Sequence, residues 1–237
     1  MKFFKNIKVY LGDFLGLIYP ELCAACYTNL IQQEKVLCTK CLYDLPRTHF
    51  HKVPGNPIEQ TFWGRVPIER AAAFYFFQKA SKYQKLLHLL KYKKRKDVGI
   101  ELGRLYGADL INEDKFSEID FIIPVPLHPK KQHKRGYNQS EMICLGLEEF
   151  LPAALRTDIL YRKIFTETQT KKSRYERWEN VEDVFGVRNA ELLEGKHVLL
   201  VDDVITTGAT IEGCAQVLKK AANVNISVAT LAYASIN

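Results

Sequence analysis

No stretch of the 237-residue chain is long and apolar enough to read as a membrane span, and no internal repeat or collagen-like glycine pattern is present. Multi-span membrane, fibrous and low-complexity classes are thereby set aside. An export signal is lacking too, because Met1 to Pro20 is broken by Lys5, Lys8 and Asp13 and never reaches the apolar length of a signal-peptide core. A cytoplasmic location is the expectation. Acidic residues are absent between Lys79 and Lys96, a segment that holds eight basic ones. What remains is an ordinary globular composition, 47% hydrophobic, 26% charged and 11% aromatic. The length suits one large domain, or one domain with a small appendage that needs its own staple.

The formal net charge is +7, and it is clustered. Together with residues 130–135 and 162–177, the Lys79–Lys96 segment holds eighteen of the 34 basic residues, leaving the rest of the chain net acidic. Each run can be a solvated face; three of them flanking recognisable loops point to an anionic partner such as phosphate or nucleic acid.

Phe3, Ile7, Tyr10, Leu11, Phe14, Leu15 and Ile18 recur at helical spacing and predict an amphipathic N-terminal helix. Behind it come Cys23-Ala-Ala-Cys26 and, eleven residues on, Cys38-Thr-Lys-Cys41. Two C-x2-C pairs supply four soft ligands that close a tetrahedral Zn²⁺ site with no open position, so its role is structural. So short a segment buries too little surface to fold unaided, and metal binding would supply its folding energy. Disulfides, disfavoured without an export signal, and an iron–sulfur cluster are the two other uses of four such cysteines. Tyr27 and Leu42 follow the second cysteine of each pair, where knuckles often place a glycine. Cys144 and Cys214 fall on helix faces and read as core residues.

His197 to Val201 is apolar and β-branched enough for a buried parallel strand. It leads into Asp202-Asp203-Val204-Ile205-Thr206-Thr207-Gly208-Ala209-Thr210, after which Ile211, Cys214, Val217, Leu218 and Ala221 mark one face of a helix. Small residues before a helix N-terminus let backbone N–H groups converge on a phosphate, with the helix dipole and threonine hydroxyls in support. The adjacent carboxylates can accept hydrogen bonds from a diol, so a sugar phosphate satisfies both halves. Residues 198–210, VLLVDDVITTGAT, resemble the phosphoribosyl-pyrophosphate (PRPP) loop of type I phosphoribosyltransferases. That resemblance implies that Asp202 and Asp203 bind the ribose hydroxyls, and Thr206, Thr207, Gly208, Ala209 and Thr210 the 5′-phosphate.

Ile119 to Val125 predicts a second buried strand, and Asn138 with Glu141 a capping box that opens a helix running to about Phe150. The basic segment between them, Leu127 to Tyr137, lies at the carboxyl edge of the sheet and reads either as a pyrophosphate-binding loop or as a solvated one. Residues 162–185 are polar without a clean period and predict a long loop. In type I phosphoribosyltransferases a flexible loop in the corresponding stretch covers the reaction centre; Arg162, Thr166, Gln169, Arg174, Arg177 and Asn180 are its candidate ligand contacts here.

In order and spacing, the cysteine segment, LKYKKRKD near 90, PVPLHPKKQHKRGYNQS, TETQTKKSRYERWENVEDVF and VLLVDDVITTGAT are similar to the bacterial ComF/GntX family, which includes competence proteins. The resemblance implies an α/β fold, a type I phosphoribosyltransferase-like parallel sheet flanked by helices, with a small N-terminal four-cysteine zinc ribbon or knuckle. It also implies a role in DNA uptake or processing during natural transformation, and a DNA-processing helicase as partner. The expected organisation is residues 1–46 for the N-terminal helix and zinc element, 47–60 for a linker, and 61–237 for the phosphoribosyltransferase-like domain. Within the last, residues 70–77 and 224–234 read as strands and 81–92 and 97–113 as helices.

Two functional readings follow. As an enzyme, the chain would use PRPP with Mg²⁺, Asp202 and Asp203 orienting the sugar while Arg135 and Lys134 stabilise the departing pyrophosphate. No segment specifies a nucleobase or amine acceptor. As a single-stranded DNA-binding protein, it would use Lys91, Lys93, Lys94, Arg95, Lys130 and Lys131 on phosphates, with Tyr92, Tyr137, Tyr175 and Trp178 as stacking platforms. Tyr83 fits the apolar face of a helix with Leu86, Leu87 and Leu90 and is expected in the core.

Overall fold

The computed structural model describes residues 20–163 and 184–234. The N-terminal helix and, within the long loop, Thr166, Gln169, Arg174, Tyr175, Arg177, Trp178 and Asn180 lie outside the described residues. The chain runs through α1 (Thr39–Tyr43), α2 (Pro57–Phe62), β1 (Ala71–Phe76), α3 (Gln84–Tyr92), α4 (Lys96–Leu110), α5 (Asp114–Ser117), β2 (Phe121–Pro124), α6 (Pro129–Arg135) and α7 (Gln139–Glu148). It continues through β3 (Ala154–Leu155), β4 (Leu160–Arg162), β5 (Phe185–Val187), β6 (His197–Ile205), α8 (Ala209–Ala221) and β7 (Asn225–Tyr233). Five strands form a parallel sheet in the order β1-β7-β6-β2-β3, and β4 and β5 make a separate antiparallel pair.

Strand periodicity distributes the core between two faces. Leu199 and Val201 of β6 pack with Phe74, Leu86, Leu90, Leu102 and Ile143 on one side. Val198 and Leu200 face the other side with Phe62, Ile211, Cys214 and Leu218. Being covered on both faces, β6 has to be apolar throughout its central run. Residues 47–60, expected as a linker, hold a 3-10 turn at Phe50–Lys52 and the start of α2. There the buried Asn56 amide donates to the Ala71 carbonyl at 2.8 Å.

Three elements differ from the sequence expectation. The basic segment between β2 and α7 is a helix, α6, not a loop. His128 caps it by accepting from the Lys130 N–H, Pro129 sits at its first turn, and Gly136 closes it at φ 81°. With no buried residue, α6 leaves no apolar period to read. The strand before the threonine-rich loop runs to Ile205, so Asp202 and Asp203 are strand residues. Asn138 caps α7 by accepting from the Ser140 N–H, an ordinary N-cap.

Helix α4 carries Gly99, Gly103 and Gly107 at four-residue spacing, a cost to an isolated helix. Their use is the crossing with α7: a Cβ on Gly103 would stand 2.3 Å from the Ile143 carbonyl oxygen, and one on Gly146 would stand 2.0 Å from that of Ile100. The two backbones touch. Gly146→Ala is expected to push the helices apart and cost roughly 1–3 kcal/mol by overpacking, read as a lower urea midpoint with an unchanged m-value.

Candidate functional site

Helix α8 returns from β6 to β7 on one side of β6, whereas α7 leads from β2 to β3 on the other. The chain therefore reverses direction between β6 and β2, and the crevice outside the carboxyl ends of those strands is where open α/β sheets bind ligands. Three groups of residues meet there.

The acidic pair forms the floor. The amide of Asp203 donates to Asp202 Oδ1 at 2.8 Å, and the Ser140 hydroxyl at the start of α7 donates to the same oxygen at 3.1 Å. Loss of water and the neighbouring Asp203 charge push the Asp202 carboxyl up to about 7. The side chain of Asp203 is turned to Lys91, whose Nζ lies 2.8 Å from Oδ1. Tyr75 is fully buried, and its hydroxyl has no hydrogen-bond partner among the described residues; burial and the Asp203 charge push its acidity down, raising its pKa.

Beyond the acidic pair, Thr206 and Thr207 are exposed, and Gly208 takes a left-handed φ of 75° as it enters α8. A side chain at 208 would be strained, and its Cβ would stand 3.0 Å from both Thr61 and Phe62. Arg65 braces the loop from outside, donating to the Thr207 carbonyl at 3.0 Å and pairing with Glu212. The first-turn N–H groups of α8 have no carbonyl to meet within the helix and face the same end as the threonine hydroxyls. Thr206, Thr207, Gly208, Ala209 and Thr210 thus share one rim, which can hold an oxyanion.

Lys91 and Tyr92 at the end of α3, with Lys94 just past it, meet Lys131, Lys134 and Arg135 of α6 and Tyr137 just beyond that helix around a cavity of about 340 Å³. The Tyr137 hydroxyl donates to the Leu90 carbonyl and ties the two walls together. Arg135 lies over Tyr92 at 5.6 Å and bonds Gln139. Arg95 is held by Asp97 through paired contacts of 2.7 to 3.0 Å. Lys91, expected on a nucleic-acid face, pairs with Asp203 and lines this cavity with Lys94 and Lys131. Arg162, expected on the long loop, is the last residue of β4 and lies over the Phe185 ring at 5.4 Å. Lys93 caps the end of α3, and Lys130 is in the first turn of α6.

The four cysteines come together in a cluster of their own. Their sulfurs all lie within 4.8 Å of one another, and Cys26 Sγ and Cys38 Sγ are 3.7 Å apart. Metal–thiolate bonds of about 2.3 Å in a tetrahedron separate the sulfurs by about 3.8 Å, so the cluster fits a metal ion. The Cys38 amide also points at Cys23 Sγ, at 3.3 Å. Tyr27, at the position noted for its missing glycine, takes a φ of 64°. The element shares the core of the α/β domain, and the Tyr83 hydroxyl donates to the Cys41 carbonyl at 2.9 Å. Tyr83, Cys144 and Cys214 are buried, as the sequence indicates.

Sequence reasoning missed Ser140, Tyr75 and the pairing of Lys91 with Asp203. Ser140 lay hidden within the capping signal, and Tyr75 within an apolar strand. The raised Asp202 carboxyl has a consequence for stability. Below about pH 4 it is protonated in folded and unfolded chains alike. From there to about 7 the folded chain binds the extra proton, so stability falls as pH rises and the full cost is present above 7. Asp202→Asn, which keeps an acceptor for Ser140, is expected to raise Tm at pH 8 by about 2–4 °C per kcal/mol recovered. The gain should shrink as pH falls from 7 and vanish only below about pH 4 in a calorimetric series.

The phosphoribosyl transferase domain family matches residues 151–236. The chain is 29% identical over 207 residues to the DNA utilization protein YhgH of Shigella flexneri, covering 86% of each chain. Among solved structures, the allosteric regulatory enzyme of purine biosynthesis aligns over 60% of this chain and 29% of its own, at a TM-score of 0.42 and 20% identity. Competence protein F of Haemophilus influenzae is 36% identical over 239 residues, 99% of this chain and 100% of that protein. A likeness running end to end, on a five-stranded parallel sheet with a phosphoribosyl transferase match and four clustered N-terminal cysteines, makes this chain a member of the ComF family of competence proteins.

Proposed function

We propose that the chain binds a phosphorylated pentose, PRPP or a related sugar phosphate, in the crevice between β6 and β2, and that it acts in DNA uptake or processing during natural transformation. One arrangement supports the reading of the site: Asp202 and Asp203, near the end of β6, precede the 206–210 loop, and Lys91, paired with Asp203, lines a cavity with the further cations Lys94, Lys131, Lys134 and Arg135. The carboxylates would receive the ribose hydroxyls, the 206–210 rim the 5′-phosphate, and the cation pocket the diphosphate. Mg²⁺ arriving with PRPP would neutralise diphosphate charge. If the site turns over, Lys134 and Arg135 stabilise the leaving diphosphate, and a nucleobase or amine acceptor enters from outside the crevice. Arg162 at the end of β4, and Thr166, Gln169, Arg174, Arg177 and Asn180 beyond it, belong to the same reading.

The DNA role rests on relatives named for competence and for DNA utilization. A basic surface of Lys93, Lys94, Lys130 and Lys131 beside the exposed Tyr92 supports single-stranded DNA as the ligand there. A helicase partner and a cytoplasmic location follow from the family reading. Among the described residues, no helix is long and apolar enough to cross a membrane. Zinc is the metal proposed for Cys23, Cys26, Cys38 and Cys41, since four thiols gathered within 4.8 Å of one another offer the ligand set of its structural sites.

Three measurements test these proposals. Calorimetric titration with PRPP and Mg²⁺ should show one site, with binding abolished in the Asp202→Asn/Asp203→Asn double variant; equal binding by both proteins would remove the site from this crevice. A labelled oligonucleotide should bind with a log–log salt slope that falls by about 0.7 for each phosphate contact removed, as in Lys93→Glu/Lys94→Glu. Salt-insensitive binding, or none, would overturn the DNA reading. Purified protein should carry one zinc per chain, and Cys38→Ser should lose it together with the cooperative unfolding of the N-terminal element.

A further inference from the structure

Lys91 belongs to both halves of the crevice. Its ammonium lies 2.8 Å from Asp203 Oδ1, with the two side chains only 21% and 12% exposed. The same side chain lines the cation pocket with Lys94, Lys131, Lys134 and Arg135. An ammonium offers three donors, and Asp203 is its one ion-pair partner among the described residues, so others remain for a ligand in the pocket.

The placement is enforced from several directions. Helix α3 buries Leu86, Leu87 and Leu90 in the core, which sets the rotation of the helix one residue before Lys91. The Tyr137 hydroxyl holds the Leu90 carbonyl. Two residues past the helix end Lys94 adopts φ 56°, a left-handed conformation that non-glycine residues seldom take. The chain therefore turns sharply there, and Lys91 and Lys94 face the same cavity.

Diphosphate beside two carboxylates is an electrostatic conflict, and a cation between them resolves it. A divalent metal is one such cation; here an ammonium already stands at the boundary. We propose that Lys91 is the resident counter-cation of this site, neutralising Asp203 next to the diphosphate pocket so that a diphosphate-bearing pentose phosphate is captured without a divalent metal. The inference rests on the sugar-phosphate reading above and deepens it. Lys91 acts as a positioning residue, holding Asp203 for the ribose hydroxyls while turning its remaining donors to the diphosphate.

The test is PRPP affinity of the full chain, measured by calorimetry in EDTA and again in Mg²⁺, for the native protein, Lys91→Met and Lys91→Arg. Native protein should bind nearly as well in EDTA as in Mg²⁺. Lys91→Met, which keeps the aliphatic stem, should lose about tenfold or more in EDTA and recover most of it in Mg²⁺. Lys91→Arg keeps the charge and should retain binding in EDTA. A purely structural ion pair would lower Tm and affinity alike in both buffers, leaving the metal dependence unmoved. The proposal is overturned if native protein binds PRPP only with Mg²⁺, a result that needs no variant to fold, or if Lys91→Met shows the native metal dependence. Absence of PRPP binding in either buffer would instead overturn the sugar-phosphate reading, and this inference with it.

Discussion

Helices α4 and α7 cross with backbone against backbone, and the glycines at 103 and 146 leave no room for a side chain between them. Much of the crevice follows from that contact. Once α7 is seated, its first turn delivers Ser140 to Asp202, and the Asn138 amide donates to the Val125 carbonyl at the end of β2 at 2.9 Å. Once α4 is seated, its start fixes where the turn at Lys93 to Lys96 must fall, and so where α3 ends and Lys91 stands. Each glycine lowers helix propensity by up to about 1 kcal/mol, a cost that makes sense only through the tertiary contact it permits.

The crevice gathers charge that a stability-optimised protein would disperse. Asp202 is pushed up to about 7 by burial and by Asp203, while five cations line the neighbouring cavity. A ligand carrying a diol and phosphates would relieve both tensions together, the hydroxyls on the carboxylates and the anionic groups on the cations. Local destabilisation of this kind is common where a site must stay open for a ligand. The ion pair of Lys91 with Asp203 offsets part of it.

The sheet was legible because period and composition agree: the apolar runs at 71–76, 121–124, 197–201 and 225–233 are all strands. The cysteine spacing likewise announced the cluster. What escaped is tertiary. Helix α6 carries seven polar or ring-locked residues and buries none of them, so its caps, His128, Pro129 and Gly136, were its only signature. The pair of β4 and β5 is two runs of three residues held by a partner distant in sequence, with Leu160 opposite Val187. Lys91 sat within a run of lysines that composition cannot tell apart; only the burial of Leu90 beside it singles it out. Charge clustering thus located the anion-facing side, while packing decides which cation meets which acid.

Helix α3 also joins the site to the cysteine element. Tyr83, at its N-cap, donates to the Cys41 carbonyl, and Lys91, in its last turn, holds Asp203. Eight residues of helix separate the two contacts, a rigid span of about 12 Å. Tyr83, Cys41 and Leu45 share one core cluster with Leu86 and Leu90, so the cysteine element covers the start of the helix whose end faces the crevice. Burial pushes the Cys38 and Cys41 thiols up and opposes their ionisation, a balance that a cation bound among them would reverse. The N-terminal element is therefore part of the packing that orients Lys91, and the appendage and the crevice are continuous parts of one core.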